Sequence, residues 1–455
     1  MRIDVLVVEI GSTTTVVNAF NGIYSLNPAF VGQGQAPTTV LEGDVKIGLK
    51  GAIESLRQNI GASEIEYDEL LATSSAAGGL RMTVHGLVYD MTVRAAKEAA
   101  LGAGANIHQI TAGRLRKSDL KKLVAIKPNI ILIAGGVDYG ERDTAIYNAE
   151  LIAELGLGIP VIYAGNIENH DDIRDIFEGT GTRLYIVENV YPKIDQLNIE
   201  PTRKVIQEVF EEHITNAPGM KKMREMVTGN IIPTPGAVMI ASKLLYDEIG
   251  DLITIDVGGA TTDVHSVTEG SDEVNRMLIS PEPLAKRTVE GDLGVYVNMK
   301  NVVERVGVEK LCNNLEIDEE TLNTLINNYK PIPETELEKR LVEELTLEAV
   351  ITAVKRHCGR FRHLYGPSGK KTIAEGKDLT NVKYIVGTGG ALTKLPNRIE
   401  ILRKIALSNK GDELLPTKEA RILIDNNYIM ASLGVLSKKY PDTAIKLLKE
   451  SLEIN

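Results

Sequence analysis

The sequence predicts an α/β protein of two hairpin-led lobes, with a parallel α/β domain inserted into the first, and three observations lead there. At 455 residues the chain exceeds one ordinary core, since domains hold roughly 100 to 200 residues each. Residues 6–15 align without a gap on residues 253–262, at a constant offset of 247. Between residues 80 and 190, short continuous apolar runs alternate with helical stretches, as expected of strands buried on both faces of a parallel sheet.

Taken in order, residues 4–10 read as a buried strand, 11–13 as a turn and 14–20 as the returning strand. A third strand is expected near 24–31 and a helix from about 42 to 59. Residues 70–73 then end in the loop Ser74-Ser75-Ala76-Ala77-Gly78-Gly79. The runs 129–134, 159–164 and 183–187 read as parallel strands, with 142–155 and 171–177 as crossover helices. Gly135-Gly136-Val137-Asp138 lies at a strand's carboxyl end, where ligands bind in open sheets, but a plain glycine turn accounts for it more simply. A helical, Pro-punctuated linker is expected over 191–235, and the second hairpin starts at 252. Helices fill 303–357; strand 383–386, the loop 387–390 and helices near 399–406 and 428–438 complete the chain. The expected domains are 1–80, the N-terminal part of the first lobe; 81–190, the inserted domain; 191–235, the linker; 236–390, the second lobe; and 391–455, a C-terminal part closing the body.

Composition narrows the function. With 43% apolar and 25% charged residues and no low-complexity tract, order is expected nearly end to end. A net charge of −11 argues against a nucleic-acid partner, because phosphate neutralisation needs a basic face. No stretch approaches the ~20 apolar residues that span a bilayer. The start, Met1-Arg2-Ile3-Asp4, reads as a strand rather than a signal peptide, so a cytoplasmic protein without a membrane partner is expected. Cys312 and Cys358 give neither a disulfide framework nor a zinc spacing.

The repeat carries the chemistry. Glu9-Ile10-Gly11-Ser12-Thr13-Thr14-Thr15 and Asp256-Val257-Gly258-Gly259-Ala260-Thr261-Thr262 each end a strand in a carboxylate, then turn through small and hydroxyl residues. One such hairpin is weak evidence, and two at equivalent points are much stronger. A tight Gly/Ser/Thr turn gathers backbone N–H groups and hydroxyls into one concavity, which suits nucleotide phosphates. A strand-end carboxylate can hold a hydrated Mg²⁺, an ion that takes only one or two carboxylates beside phosphate oxygens. Glu9, Asp256 and Asp263 are therefore the Mg²⁺ candidates, and one of them is expected to orient the attacking water in γ-phosphoryl cleavage. The expected phosphate contacts are Gly11, Ser12, Thr13 and Thr14 on one side, and Gly258, Gly259, Ala260, Thr261 and Thr262 on the other. A third stretch, Gly387-Thr388-Gly389-Gly390, leaves a buried strand before a helix and is the candidate seat for the nucleoside or α-phosphate.

These three stretches resemble, in order, the phosphate-1, phosphate-2 and adenosine motifs of the acetate kinase/sugar kinase/Hsp70/actin superfamily. The segment 71–79 and Ala431-Ser432-Leu433-Gly434 resemble its two connect motifs. The resemblance implies a two-lobed actin/Hsp70-like ATPase fold of duplicated ribonuclease H-like lobes, with ATP and Mg²⁺ held between the twin hairpins. Glu9 departs from the superfamily's usual aspartate, and the insertion departs from its minimal fold.

Asp4-Val5-Leu6-Val7-Val8-Glu9-Ile10-Gly11-Ser12, Asp256-Val257-Gly258-Gly259-Ala260-Thr261-Thr262-Asp263-Val264-His265-Ser266, and Lys355-Arg356-His357-Cys358-Gly359-Arg360 running to Tyr365-Gly366-Pro367 narrow the resemblance. Together they look like the MutL/GlmL-type accessory proteins of adenosylcobalamin-dependent glutamate mutase and D-ornithine aminomutase. That resemblance implies an ATP-driven reactivating chaperone, which releases damaged cobalamin from a stalled mutase. It implies a mutase partner, and a homo-oligomer is compatible with it. The inserted domain, lying outside the repeat, is the expected mutase-contacting module.

The basic residues Lys355, Arg356, Arg360, Arg362, Lys370 and Lys371 stand out in an acidic protein. A solvated helix face accounts for them as well as either function does: contact with the nucleotide, for which Lys355 and Arg356 are the candidates, or a grip on an acidic partner. His265 reads as a satisfied structural histidine, and His357 and His363 lack nearby ligands for a metal site. Competing readings are an ATP-dependent amidohydrolase of hydantoinase/oxoprolinase type, which Pro235-Gly236-Ala237 leading into Asp256-Val257-Gly258-Gly259 also resembles, a small-molecule kinase, and an actin-like filament protein.

Overall fold

The N-terminal apolar run forms β1 (Arg2–Ile10), buried without interruption from Val5 to Ile10, because it lies at the centre of a sheet covered on both faces. The computed structural model describes residues 1–11, 14–39, 44–75, 80–215, 223–366 and 369–454, with backbone only for 211–215 and 366. They form two compact units, residues 1–240 with 431–447, and residues 241–430 with 448–455.

In the first unit, β1 pairs antiparallel with β2 (Thr14–Asn21), which pairs antiparallel with β3 (Ala29–Pro37). On its other side β1 runs parallel to β4 (Glu66–Ser74). The helix Val45–Asn59 covers β3 with Val45, Leu49, Ala52 and Leu56, a 3.6-residue stripe, and Asp44 caps it by accepting from the Lys46 N–H at 2.9 Å. Each of those leucines contributes about 1.5–3 kcal/mol by burial.

The third strand lies later than the expected 24–31. Tyr24 and Leu26, which suggested it, are 73% and 84% exposed on a connecting turn where Ser25 N–H donates to Gly22 O at 2.9 Å. The expected linker 191–235 contains the helix Glu200–Thr215 and also a strand. That strand closes the sheet: counting β5 to β9 in the insertion, β10 (Ile231–Pro233) lies parallel to β4 and gives the order β10-β4-β1-β2-β3. Its apolar run is only Ile231-Ile232 before Pro233, too short to mark a strand.

The insertion is a wholly parallel sheet of β5 (Leu80–Gly86), β6 (Ala105–Ala112), β7 (Ile130–Ile133), β8 (Val161–Tyr163) and β9 (Leu184–Ile186), in the order β6-β5-β7-β8-β9. β5 and β6 were not expected, because polar residues interrupt them. His85 is fully buried there and bonds Thr111 Oγ1 at 2.8 Å and Thr83 Oγ1 at 3.0 Å. One apolar cluster joins Leu6 and Val8 of β1 to Met82 and Val84 of β5 and Leu132 of β7.

The second unit repeats the first sheet. β11 (Leu252–Val257) pairs antiparallel with β12 (Thr262–Val267), which pairs antiparallel with β13 (Ala285–Glu290). After a separate hairpin, β14 (Arg360–Gly366) and β15 (Gly369–Glu375), come β16 (Tyr384–Thr388) parallel to β11 and β17 (Arg421–Ile424) parallel to β16. The order β17-β16-β11-β12-β13 reproduces β10-β4-β1-β2-β3 strand for strand and direction for direction. This is the duplicated ribonuclease H-like sheet of the actin/Hsp70-like ATPase fold. The helix Glu336–His357, started by a Thr335/Glu338 capping box, covers one face through Leu345, Ala349 and Ala353. The expected loop 387–390 is not a loop: β16 continues through Thr388, and the helix Gly389–Lys394 begins at once.

Candidate functional site

In the second unit, the β11–β12 turn closes with Gly258 N–H donating to Thr261 O at 2.9 Å. Asp256 stands opposite Asp263 in the antiparallel register and beside Thr388 in the parallel one. The turn's carbonyls are tied down by a segment the sequence did not mark. Val295 N–H donates to Gly258 O at 3.2 Å, the Tyr296 and Val297 N–H groups to Gly259 O at 2.9 and 2.7 Å, and Asn298 Nδ2 to Ala260 O at 2.7 Å. Tyr329 supports that cover, its hydroxyl donating to Val295 O at 2.7 Å and its ring stacking on Tyr296. With the carbonyls held, no described acceptor takes the N–H groups of Gly259 or Ala260. Two adjacent N–H groups left in this way form a concavity for an anion.

Gly389 borders the same place. Its φ is +85°, and a Cβ there would overlap Asp256 Oδ1. The structure thus brings the second turn's carboxylate against the start of the helix Gly389–Lys394. Thr388 turns toward a carboxylate that sequence reasoning missed: its Oγ1 donates to Asp425 Oδ2 at 3.0 Å. Asp425, fully buried, also accepts from the Ile429 and Met430 N–H groups at 3.1 and 2.9 Å and from Ser451 Oγ at 2.7 Å.

Asp263, expected to share the metal, is engaged otherwise. Arg287, 1% exposed, holds its Oδ1 through Nε at 2.8 Å and Nη2 at 2.5 Å, and Thr261 Oγ1 donates to its Oδ2 at 3.0 Å. Thr262 donates to Leu293 O at 2.8 Å, fastening the turn to its cover. Lys355 and Arg356 point to different places. Lys355 Nζ donates to Ser408 O at 2.7 Å and pairs with Glu413, whereas Arg356 forks onto Asp292 at 2.7 and 2.9 Å and reaches Glu290 at 2.5 Å. Burial pushes the Glu290 carboxyl up, and Arg356 opposes that shift. Arg356 therefore anchors the strand end from which the covering segment departs. His265 is buried with neither ring nitrogen bonded, so it is structural but not satisfied; His357, bonded to Thr288 Oγ1 and Ser266 Oγ, is the satisfied one.

In the first unit the hairpin repeats the same closure, Gly11 N–H to Thr14 O at 2.9 Å. Its register is the same under the 247-residue offset: Glu9 opposite Val16 and Ile10 opposite Thr15 correspond to Asp256 opposite Asp263 and Val257 opposite Thr262. Glu9 sits beside Thr73 on the parallel strand, as Asp256 sits beside Thr388. Thr38, unmarked in the sequence, braces this turn by donating to Gly11 O at 2.9 Å and bonding Thr15 Oγ1 at 3.0 Å. Ser12, Thr13 and the loop residues 76–79 lie outside the described residues.

Residues 5–452 match the MutL protein family. The chain belongs to that family. A curated relative, Protein MutL of Clostridium tetanomorphum, is 36% identical over 98% of this chain and 98% of its own length. Among solved structures, a nucleotide-free acetone carboxylase aligns at a TM-score of 0.42 with 13% identity, over 96% of this chain and 70% of that one. A nucleotide-free diol dehydratase-reactivating factor aligns at 0.39 with 11% identity, over 97% and 100%. The fold of this MutL-family chain is accordingly read from its own strand order.

The expected second connect motif forms the helix Met430–Leu436, packed on the helix Thr234–Ile249 where a Cβ at Gly434 would overlap Ala237 O. Ser432 Oγ accepts from Asn18 Nδ2 of β2 at 2.9 Å, linking the motif to the first hairpin. Among the described residues of the MutL-family chain, no helix is long and apolar enough to cross a membrane, and no three-ligand His/Cys/Asp/Glu group is assembled.

Proposed function

We propose that this chain is an ATP-dependent reactivating factor for an adenosylcobalamin-dependent aminomutase or glutamate mutase, acting as a chaperone that frees the mutase of damaged cobalamin. Membership of the MutL protein family supports the mutase-associated role. The observation that carries the nucleotide half is the second turn: carbonyls fastened by residues 295–298, N–H groups of Gly259 and Ala260 with no acceptor among the described residues, and Asp256 lodged against Gly389. That arrangement fits a phosphate with its metal, and the first hairpin repeats its register.

On this reading Gly259, Ala260 and Thr261 receive phosphate oxygens, and Gly11 and Thr14 do so with Ser12 and Thr13 at the other turn. Glu9 and Asp256 are the residues that would hold a hydrated Mg²⁺, an ion that would neutralise charge on the phosphates. Asp263, already paired with Arg287, keeps the hairpin in shape. The helix Gly389–Lys394 begins where the nucleoside would rest, and Thr388, held by Asp425, sets the strand beneath it. Loss of the γ-phosphate removes contacts at the turns. That difference in affinity is the free energy available for remodelling a client, and moving a two-state equilibrium from 1:99 to 99:1 takes about 5.5 kcal/mol.

The test incubates the protein with a mutase blocked by cyanocobalamin and follows recovered mutase activity with ATP, Mg²⁺ and free adenosylcobalamin. Recovery that requires ATP is expected. No recovery with glutamate mutase or ornithine aminomutase, together with ATP turnover on a cyclic amide, would replace this reading with the amidohydrolase one.

A further inference from the structure

The β14–β15 hairpin is a two-stranded sheet on its own, and the described contacts that join it to the second unit lie at its base. There Phe361 and Ala374 pack with Val274 and Leu414, and Phe361 N–H donates to Asp412 O at 2.7 Å. Beyond the base, Leu364 is 52% and Tyr365 79% exposed, on opposite faces by strand alternation. An isolated hairpin is marginal in water, and one that exposes a leucine and a tyrosine has apolar area to bury. Its charge is unusual too. Residues 360–371 hold four basic residues and no acidic one, so the chain's net −11 leaves −15 on the remainder. Arg362 is paired with Glu375 at 2.7 Å, but no described ion pair reaches Lys370 or Lys371.

The complementary charge lies on the same unit. Residues 301–350 carry twelve acidic and five basic residues, a net of −7, and Glu316, Asp318, Glu319 and Glu320 are all exposed there. We propose that the hairpin is a docking arm for a second copy of this chain, Tyr365 and its basic side chains seating on the acidic helices of the partner copy. Tyrosine and arginine are the residues that dominate such contacts. Both copies are acidic overall, so long-range repulsion opposes the encounter. At a Debye length of ~10 Å in 0.1 M salt that repulsion is screened while arm-to-helix contact survives, so association rises from very low to moderate salt and falls at high salt.

Sedimentation equilibrium of the full chain across salt concentrations tests this. The expected result is reversible self-association with that salt profile, weakened at least about tenfold in the double variant Lys370→Glu/Lys371→Glu. A second variant, Glu316→Lys/Glu320→Lys, weakens it comparably, and mixing the two variants restores association, because each carries the charge the other lacks. Circular dichroism confirms that both variants are folded. A monomer at every salt concentration, association indifferent to either variant, or binding of the arm to anionic vesicles without self-association would overturn the proposal.

Discussion

Gly389 presses against Asp256: at φ +85° and without a side chain, its Cα comes so near that a Cβ would overlap the Asp256 Oδ1. Gly389→Ala therefore adds a left-handed penalty of roughly 1–2 kcal/mol and displaces the carboxylate. Titration calorimetry should show MgATP affinity lowered at least about tenfold. Gly390→Ala, whose new methyl meets no protein atom within 4 Å, should fold as the wild type does and controls for stability.

Asp263 and Arg287 form a buried ion pair, with side chains 7% and 1% exposed. Arg287→Met strands a buried carboxylate and should cost about 3–5 kcal/mol in urea denaturation. Adding Asp263→Asn should recover much of that loss. If the double variant also keeps its Mg²⁺-dependent nucleotide affinity, Asp263 serves the hairpin and not the metal.

Four donors converge on the fully buried Asp425, two of them backbone N–H groups at the start of the helix Met430–Leu436. Asp425→Ala leaves them without an acceptor and should lower stability by about 2–4 kcal/mol. An unchanged denaturation midpoint would show that water replaces the carboxylate at no cost.

Burial lowers His85 to about 4 from an ordinary 6.5, and moves His265 and His357 well down from the same value. Each takes a proton in the unfolded chain at pH values where the folded chain refuses it. Stability should therefore be fully present above about pH 6.5 and decline as pH falls toward 4, with His85 alone accounting for about 3 kcal/mol. Melting temperatures followed through that window should fall with pH. His85→Gln should flatten part of the slope, and a flat wild-type profile would contradict the assignment.

The two hairpins were legible because their chemistry is local: an acid, a glycine and threonines within ten residues repeat in the sequence and close with the same Gly-to-Thr hydrogen bond. Continuous apolar runs such as those of β1 and β7 announced themselves for the same reason. β10 and β17 did not, since their apolar runs are only Ile231-Ile232 and Ile422-Leu423-Ile424, bounded by Pro233 and by Arg421 and Asp425. Thr38, Arg287 and Asp425 were missed because their partners lie 23 to 37 residues away. Nothing in the local pattern sets them apart from ordinary polar residues. Tyr24 and Leu26 misled in the opposite direction, as apolar residues on an exposed turn.

The most direct measurement is titration calorimetry of the full chain with ATP and Mg²⁺. Binding by the wild type, lost on Asp256→Ala and separately on Glu9→Ala while both variants stay folded, is the predicted result. Absence of binding by the wild type, or undiminished binding by either variant, would contradict the assignment of the twin turns to a nucleotide and its metal.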